Sequence, residues 1–79
     1  MTKSIIKRSV VISGHATSVS LEPEFWEVLR EIAVAEDMSV AALIRQIDES
    51  LMKSKRHNLS SAIRIFILKK LQDQIKKIP

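Results

Sequence analysis

The 79-residue sequence has no cysteine, one glycine and two prolines. Without cysteine there is no disulfide framework and no thiolate metal cage. The lack also fits a reducing compartment, so a cytoplasmic location is expected. One glycine and two prolines are too few for a turn-rich β-sandwich or for a phosphate loop. No stretch approaches the ~18 consecutive apolar residues of a membrane-crossing helix, and the apolar run near Val10 is too short for a signal peptide. Aromatic residues are scarce as well. Phe25, Trp26 and Phe66 all fall on or beside apolar helical stripes, where core packing is the expected use and single-strand stacking is not.

Chemistry is equally thin. His15 and His57 have no second histidine or cysteine at ligand spacing, so no metal and no cofactor is expected. Asp48 and Glu49 are adjacent and diverge on a helix, which makes a poor acid–base pair. The serines sit where strands and helix caps want them. A chain this small also struggles to enclose a pocket of the usual ~300–1,000 Å³. The composition therefore speaks against an enzyme.

What is present is apolar residue and uneven charge. Hydrophobic residues make up 46% of the chain, enough to fold. The net charge of +4 divides into +3 over residues 1–21, −6 over 22–50 and +7 over 51–79. Two basic ends around an acidic middle favour a phosphate-backbone partner, although lysines also simply solvate helix faces. The basic residues of the last segment do not make one clean face, which argues against a membrane surface as partner.

Local patterns give a mostly α chain. Residues 1–8 read as a flexible basic arm and residues 9–79 as one domain. Val10, Val11 and Ile12 form a short apolar run, and Gly14 marks a bulge or turn between two extended pieces. Over residues 16–21 the pattern alternates. Thr17, Val19 and Leu21 share one face of a half-buried strand, and Ala16, Ser18 and Ser20 the other. Pro23 opens a helix over about 23–36, with acidic residues in its first turn where the dipole favours them. Ser39 is a good N-cap for a second helix over about 40–52. Asn58 or Ser60 caps a third over about 60–77. Its residues Ile63, Ile67, Leu71 and Ile75 form one stripe, while Ile65 and Leu68 lie on another face.

A single core of this size rarely supplies more than ~3–5 kcal/mol. With disulfides and metals absent, oligomerisation is the remedy left. The lone strand would then pair with the same strand of a second copy in an antiparallel ribbon. A two-stranded ribbon fits the major groove of B-DNA.

At this point the stretch TSVSLEPEFWEVLREIAVAEDMSVAALIRQI, residues 17–47, resembles the ribbon-helix-helix family of Arc/MetJ-type dimeric repressors. More narrowly, KRSVVISGHATSVSLEPEFWEVLREIA followed by NLSSAIRIFIL is similar to a small bacterial subfamily of poorly defined role. The resemblance implies an intertwined homodimer with an intermolecular ribbon, plus an additional C-terminal helix. It implies base reading by Ala16, Ser18 and Ser20. Phosphate would be held by the start of the second helix, at Ser39 and Val40, helped by Lys3, Lys7 and Arg8. The shared dimer core would comprise Val19, Leu21, Phe25, Trp26, Leu29, Ile44 and Ile47. A second placement of the phosphate-holding helix start, at Ser60 and Ser61 near Arg64, stays open.

The function these residues point to is a DNA-binding transcriptional regulator. The alternative is a dimeric protein-interaction module or antitoxin-like protein, its C-terminal helix recruiting a protein partner. The ribbon's outer residues favour that alternative to a degree. Serine makes permissive base contacts and alanine reaches only a thymine methyl, whereas arginine to guanine is the strong bidentate pair.

Overall fold

A computed structural model describes residues 4–53 and 58–77, the side chain of Lys53 excepted. Two strands precede three helices: β1 (Ile6–Ile12), β2 (His15–Leu21), α1 (Pro23–Ala35), α2 (Val40–Lys53) and α3 (Leu59–Lys76). The helices lie within a residue or two of their sequence-based limits. The strand expected over 16–21 begins one residue earlier.

β1 and β2 pair antiparallel within the one chain, from Ile6 opposite Leu21 to Ile12 opposite His15. The two residues between them, Ser13 and Gly14, have φ of 51° and 80°. Positive φ at both positions of a two-residue loop is the type I′ hairpin geometry, whose twist matches that of the flanking strands. Gly14 accepts this φ without strain, as a residue lacking Cβ does.

The hairpin corrects two expectations. The ribbon is antiparallel and two-stranded, but both strands come from one chain, because the Ser13-Gly14 turn folds the N-terminal segment back on β2. The segment read as a flexible arm supplies Ile6, Lys7 and Arg8 to β1. Lys3 lies outside the described residues.

Opposed residues share a face of the ribbon. Ile6, Val10 and Ile12 of β1, with Thr17, Val19 and Leu21 of β2, turn toward the helices and are buried or half-buried. Lys7, Ser9 and Val11 turn outward with Ala16, Ser18 and Ser20. The core combines Val19 and Leu21 with Trp26, Leu29, Leu43, Ile44, Ile47, Ile63 and Ile67, and Phe25 packs half-buried against it. The residues assigned above to a core shared by two copies thus meet inside a single chain.

Helix ends follow local chemistry. The Glu22 carbonyl accepts from the amides of Phe25 and Trp26 at 3.0 and 3.2 Å, ahead of Pro23 in the first turn of α1. At the other end, the Met38 amide reaches the Ala33 carbonyl and the Asp37 amide the Val34 carbonyl. Asp37 has φ of 56°. Together these make a Schellman closure with aspartate in the left-handed position usually held by glycine. The stripe predicted for α3 is buried at Ile63 and Ile67 only, and Leu71 and Ile75 are exposed. Among the described residues, no cluster of three or more histidine, aspartate or glutamate side chains could hold a metal ion, and no helix is long and apolar enough to cross a membrane.

Candidate nucleic-acid interface

The outward face of the hairpin is a strip of small side chains. Across it, Lys7 stands opposite Ser20, Ser9 opposite Ser18, and Val11 opposite Ala16. Ala16 and Ser18 are exposed, Val11 is 67% exposed, and Ser20 is half-buried. The alternation read from the sequence placed Ala16, Ser18 and Ser20 together on this face. It missed Ser9 and Val11, because the Val10-Val11-Ile12 run conceals which of its members points outward.

The β1 side of the hairpin meets the start of α2. There a groove of about 510 Å³ is lined by Arg8, Ser9, Val10, Trp26, Arg30, Val40 and Ala41. Trp26 organises it. Its indole N–H donates to the Ile6 carbonyl at 3.0 Å, which ties β1 to α1. Its ring lies 5.4 Å from the Arg8 guanidinium, within cation–π range. Arg8 therefore stands on the core-facing side of β1, held by an aromatic surface, and is not part of a loose arm. Arg30 follows Trp26 by one helical turn and lines the same groove.

The helix start in this groove is fixed by Ser39. Its hydroxyl accepts from the Ala42 amide at 3.0 Å and its carbonyl from the Leu43 amide at 3.0 Å. Those bonds leave the amides of Val40 and Ala41 ahead of the first intrahelical bond, at the positive end of the helix dipole. Ser39 is thus the cap, and the donors left ahead of it at this helix start are the backbone groups of Val40 and Ala41. Two guanidinium groups and two oriented amides around one groove suit a phosphate.

The β2 side meets the start of α3, and here the polar groups are already engaged. The Ser20 amide donates to Ser60 Oγ at 3.0 Å. Arg64 Nη2 donates to the Ser20 carbonyl at 3.3 Å and to Glu22 Oε1 at 2.9 Å, and its Nε donates to the same carboxylate oxygen at 3.1 Å. The guanidinium also lies 5.7 Å from the Phe25 ring. The Glu22 carboxyl is held below its ordinary value of 4.5, first by a hydrogen bond with its own backbone and then by Arg64. Asn58 Oδ1 accepts the Ser61 amide at 3.0 Å. The alternative phosphate site at Ser60, Ser61 and Arg64 is therefore filled by the chain's own strand.

Arg30 and the Ser60–Arg64–Glu22 latch went unread in the sequence. Arg30 carries a weak signal, its i+4 spacing from Trp26, but that spacing means nothing until β1 is known to pack there. The latch joins residues about 40 positions apart, and no local pattern announces it.

Comparisons with known proteins agree with this architecture. Residues 5–71 match a family model described as the ribbon-helix-helix domain. Among solved structures the chain is similar to an uncharacterized protein from Bordetella pertussis Tohama I, at 37% identity and a TM-score of 0.81. The match covers 94% of this chain and 61% of that one, so the chain spans about three fifths of that protein's length. No curated protein matches.

Proposed function

The chain belongs to the ribbon-helix-helix domain family, and from that premise we propose that it is a homodimeric, cytoplasmic, DNA-binding transcriptional repressor. Members of the family generally bind DNA as dimers, and the fold is a regulatory rather than an enzymatic one. The outward face of the hairpin lies in the major groove. Lys7 reaches an acceptor edge such as guanine O6 or N7. Ser9, Ser18 and Ser20 make adaptable contacts, and Val11 and Ala16 touch thymine methyl groups. Arg8, Arg30 and the amides of Val40 and Ala41 hold a phosphate beside the groove. Phosphate contacts supply most of the affinity, and sequence choice is modest. Pairing of two copies presents two such surfaces to an inverted repeat.

The observation that carries this reading is the placement of an open, doubly cationic helix start next to a slim, uncrowded ribbon face. Titration of the chain into labelled random duplex DNA, followed by anisotropy at about 50 and 200 mM salt, tests it. Binding that weakens steeply with salt is expected, and no binding at the lower salt concentration overturns the proposal.

A second reading is a dimeric protein-interaction or antitoxin-like module with weak DNA binding. One observation favours it: among the described residues, the outward ribbon face carries a single cation, Lys7. The same titration separates the two.

A further inference from the structure

We propose that Glu22 masks a second phosphate contact: its carboxylate occupies the Arg64 guanidinium at the β2 border of the ribbon, and neutralising it hands that arginine to the DNA backbone. The inference rests on the DNA-binding reading above and adds to it a built-in limit on affinity.

The two borders of the hairpin carry the same pair of parts. Phe25 and Trp26 are consecutive at the start of α1, and each lies against a guanidinium delivered by a different element. Arg8 of β1 is 5.4 Å from the Trp26 ring, and Arg64 of α3 is 5.7 Å from the Phe25 ring. Both distances are within cation–π range. What sets the second border apart is a carboxylate. Arg64 Nε and Nη2 donate to Glu22 Oε1 at 3.1 and 2.9 Å, whereas Arg8 lines a groove. Both Arg64 nitrogens converge on one oxygen, which falls short of the two-oxygen fork that arginine makes with phosphate.

The Glu22 side chain is not needed to start the helix. Glu22 is the N-cap of α1, a position that favours Ser, Thr, Asp or Asn, and its side chain makes no capping bond. Pro23 and the Glu22 carbonyl do that work, and the carboxylate serves Arg64 instead. The pair is within reach of a ligand. The Arg64 and Glu22 side chains are 32% and 29% exposed, so water and ions screen their attraction. It also stands at the edge of the DNA-facing strip. Arg64 Nη2 donates to the Ser20 carbonyl at 3.3 Å, and Ser20 lies on the outward face opposite Lys7. With Glu22 ionised, an approaching phosphate meets a carboxylate and an arginine already spent, so Arg64 adds little to wild-type affinity. With Glu22 neutral, the phosphate meets an oriented cation.

Anisotropy titration of the full chain against random duplex DNA at about 50 and 200 mM salt tests the proposal. Glu22→Gln should bind roughly 3- to 10-fold tighter at the lower salt and steepen the salt slope by about 1, the signature of one added phosphate contact. Glu27→Gln removes the same charge from an exposed position of the same helix. It should change affinity by less than about 2-fold and leave the slope alone. Arg64→Gln drops the cation and keeps an N–H donor, and in that background Glu22→Gln should gain nothing. Arg64→Lys, a milder change that keeps the charge and loses the fork, should leave only part of the gain. Circular dichroism checks that each variant is folded at the titration temperature. A gain that Glu27→Gln matches, or one that survives without the Arg64 cation, makes Glu22 an ordinary negative charge; either overturns the mask and leaves the DNA reading standing. No binding by the wild type or any variant at the lower salt overturns both.

Discussion

The two sides of the hairpin meet the same device, the start of a helix, and handle it in opposite ways. At β2 the start of α3 is consumed: Ser60 takes the Ser20 amide, and Arg64 spans the Ser20 carbonyl and the Glu22 carboxylate. At β1 the start of α2 opens on a groove with Arg8 and Arg30 on its walls. The difference lies in what surrounds otherwise similar amides. An acceptor within the chain, Glu22, turns an arginine into a structural clamp. Arg8, stacked on Trp26, lines the groove instead. Identical helix-end physics thus yields a lock on one side and an open groove on the other.

The contrast can be broken first at the open side. Arg8→Ala with Arg30→Ala should lower affinity for duplex DNA roughly 10- to 100-fold and flatten the salt slope by about 2. Anisotropy titration measures both, and melting should shift little, since exposed substitutions usually stay within about 0.5 kcal/mol. Arg64→Ala should do the reverse. It strips the Ser20 carbonyl of its side-chain partner, at a cost of about 1 kcal/mol, and lowers Tm by ~4–8 °C. DNA affinity should stay within a few-fold. Equal losses of affinity in the two variants would erase the distinction between lock and open groove.

Capping substitutions sharpen the comparison. Ser39→Ala and Asn58→Ala should each cost up to about 1 kcal/mol in chemical denaturation. Only the first should also weaken DNA binding, because only the start of α2 borders the groove. The smallest effect is that of pH. Glu22 titrates below its ordinary 4.5 in the folded chain. Its contribution is therefore fully present above that value and is lost as pH falls through the lowered one. The difference in Tm between the wild type and Glu22→Gln should be constant near neutrality and should vanish in acid.

Much of the architecture is written locally, and the remainder is not. Pro23, Ser39 and Asn58 open the three helices, and apolar spacing fixes their inner faces. The alternation from Thr17 to Leu21 separates Val19 and Leu21 from Ala16, Ser18 and Ser20 without help from tertiary structure. β1 is obscured because it breaks the binary pattern twice: Arg8 points to the core side and Val11 points to solvent. Each exception has a long-range cause. Arg8 stacks on Trp26, and Val11 belongs to a face whose partner would lie outside the chain. Gly14 marks a bulge or turn between two extended pieces in the sequence itself, but without a visible first strand nothing there says that the two pieces pair with each other. On the functional side, cap chemistry marks Ser39 as the start of α2 and only the family resemblance gives it and Val40 a phosphate, whereas Arg30 requires the packed hairpin to give it meaning.

A ribbon made from one chain has two unlike strands. In a ribbon exchanged between copies, a two-fold axis relates the strands, so every cross-strand pair recurs in reverse beyond the axis and the bases beneath must mirror one another. Here Lys7 faces Ser20 and Val11 faces Ala16, so the ribbon has a head and a tail. A step read beneath it has no reason to be palindromic, and any mirror symmetry in a target would reside in the spacing between half-sites. Each strand is also free to diverge under selection without dragging the other with it, which doubles the number of independently variable positions on a ribbon of fixed size.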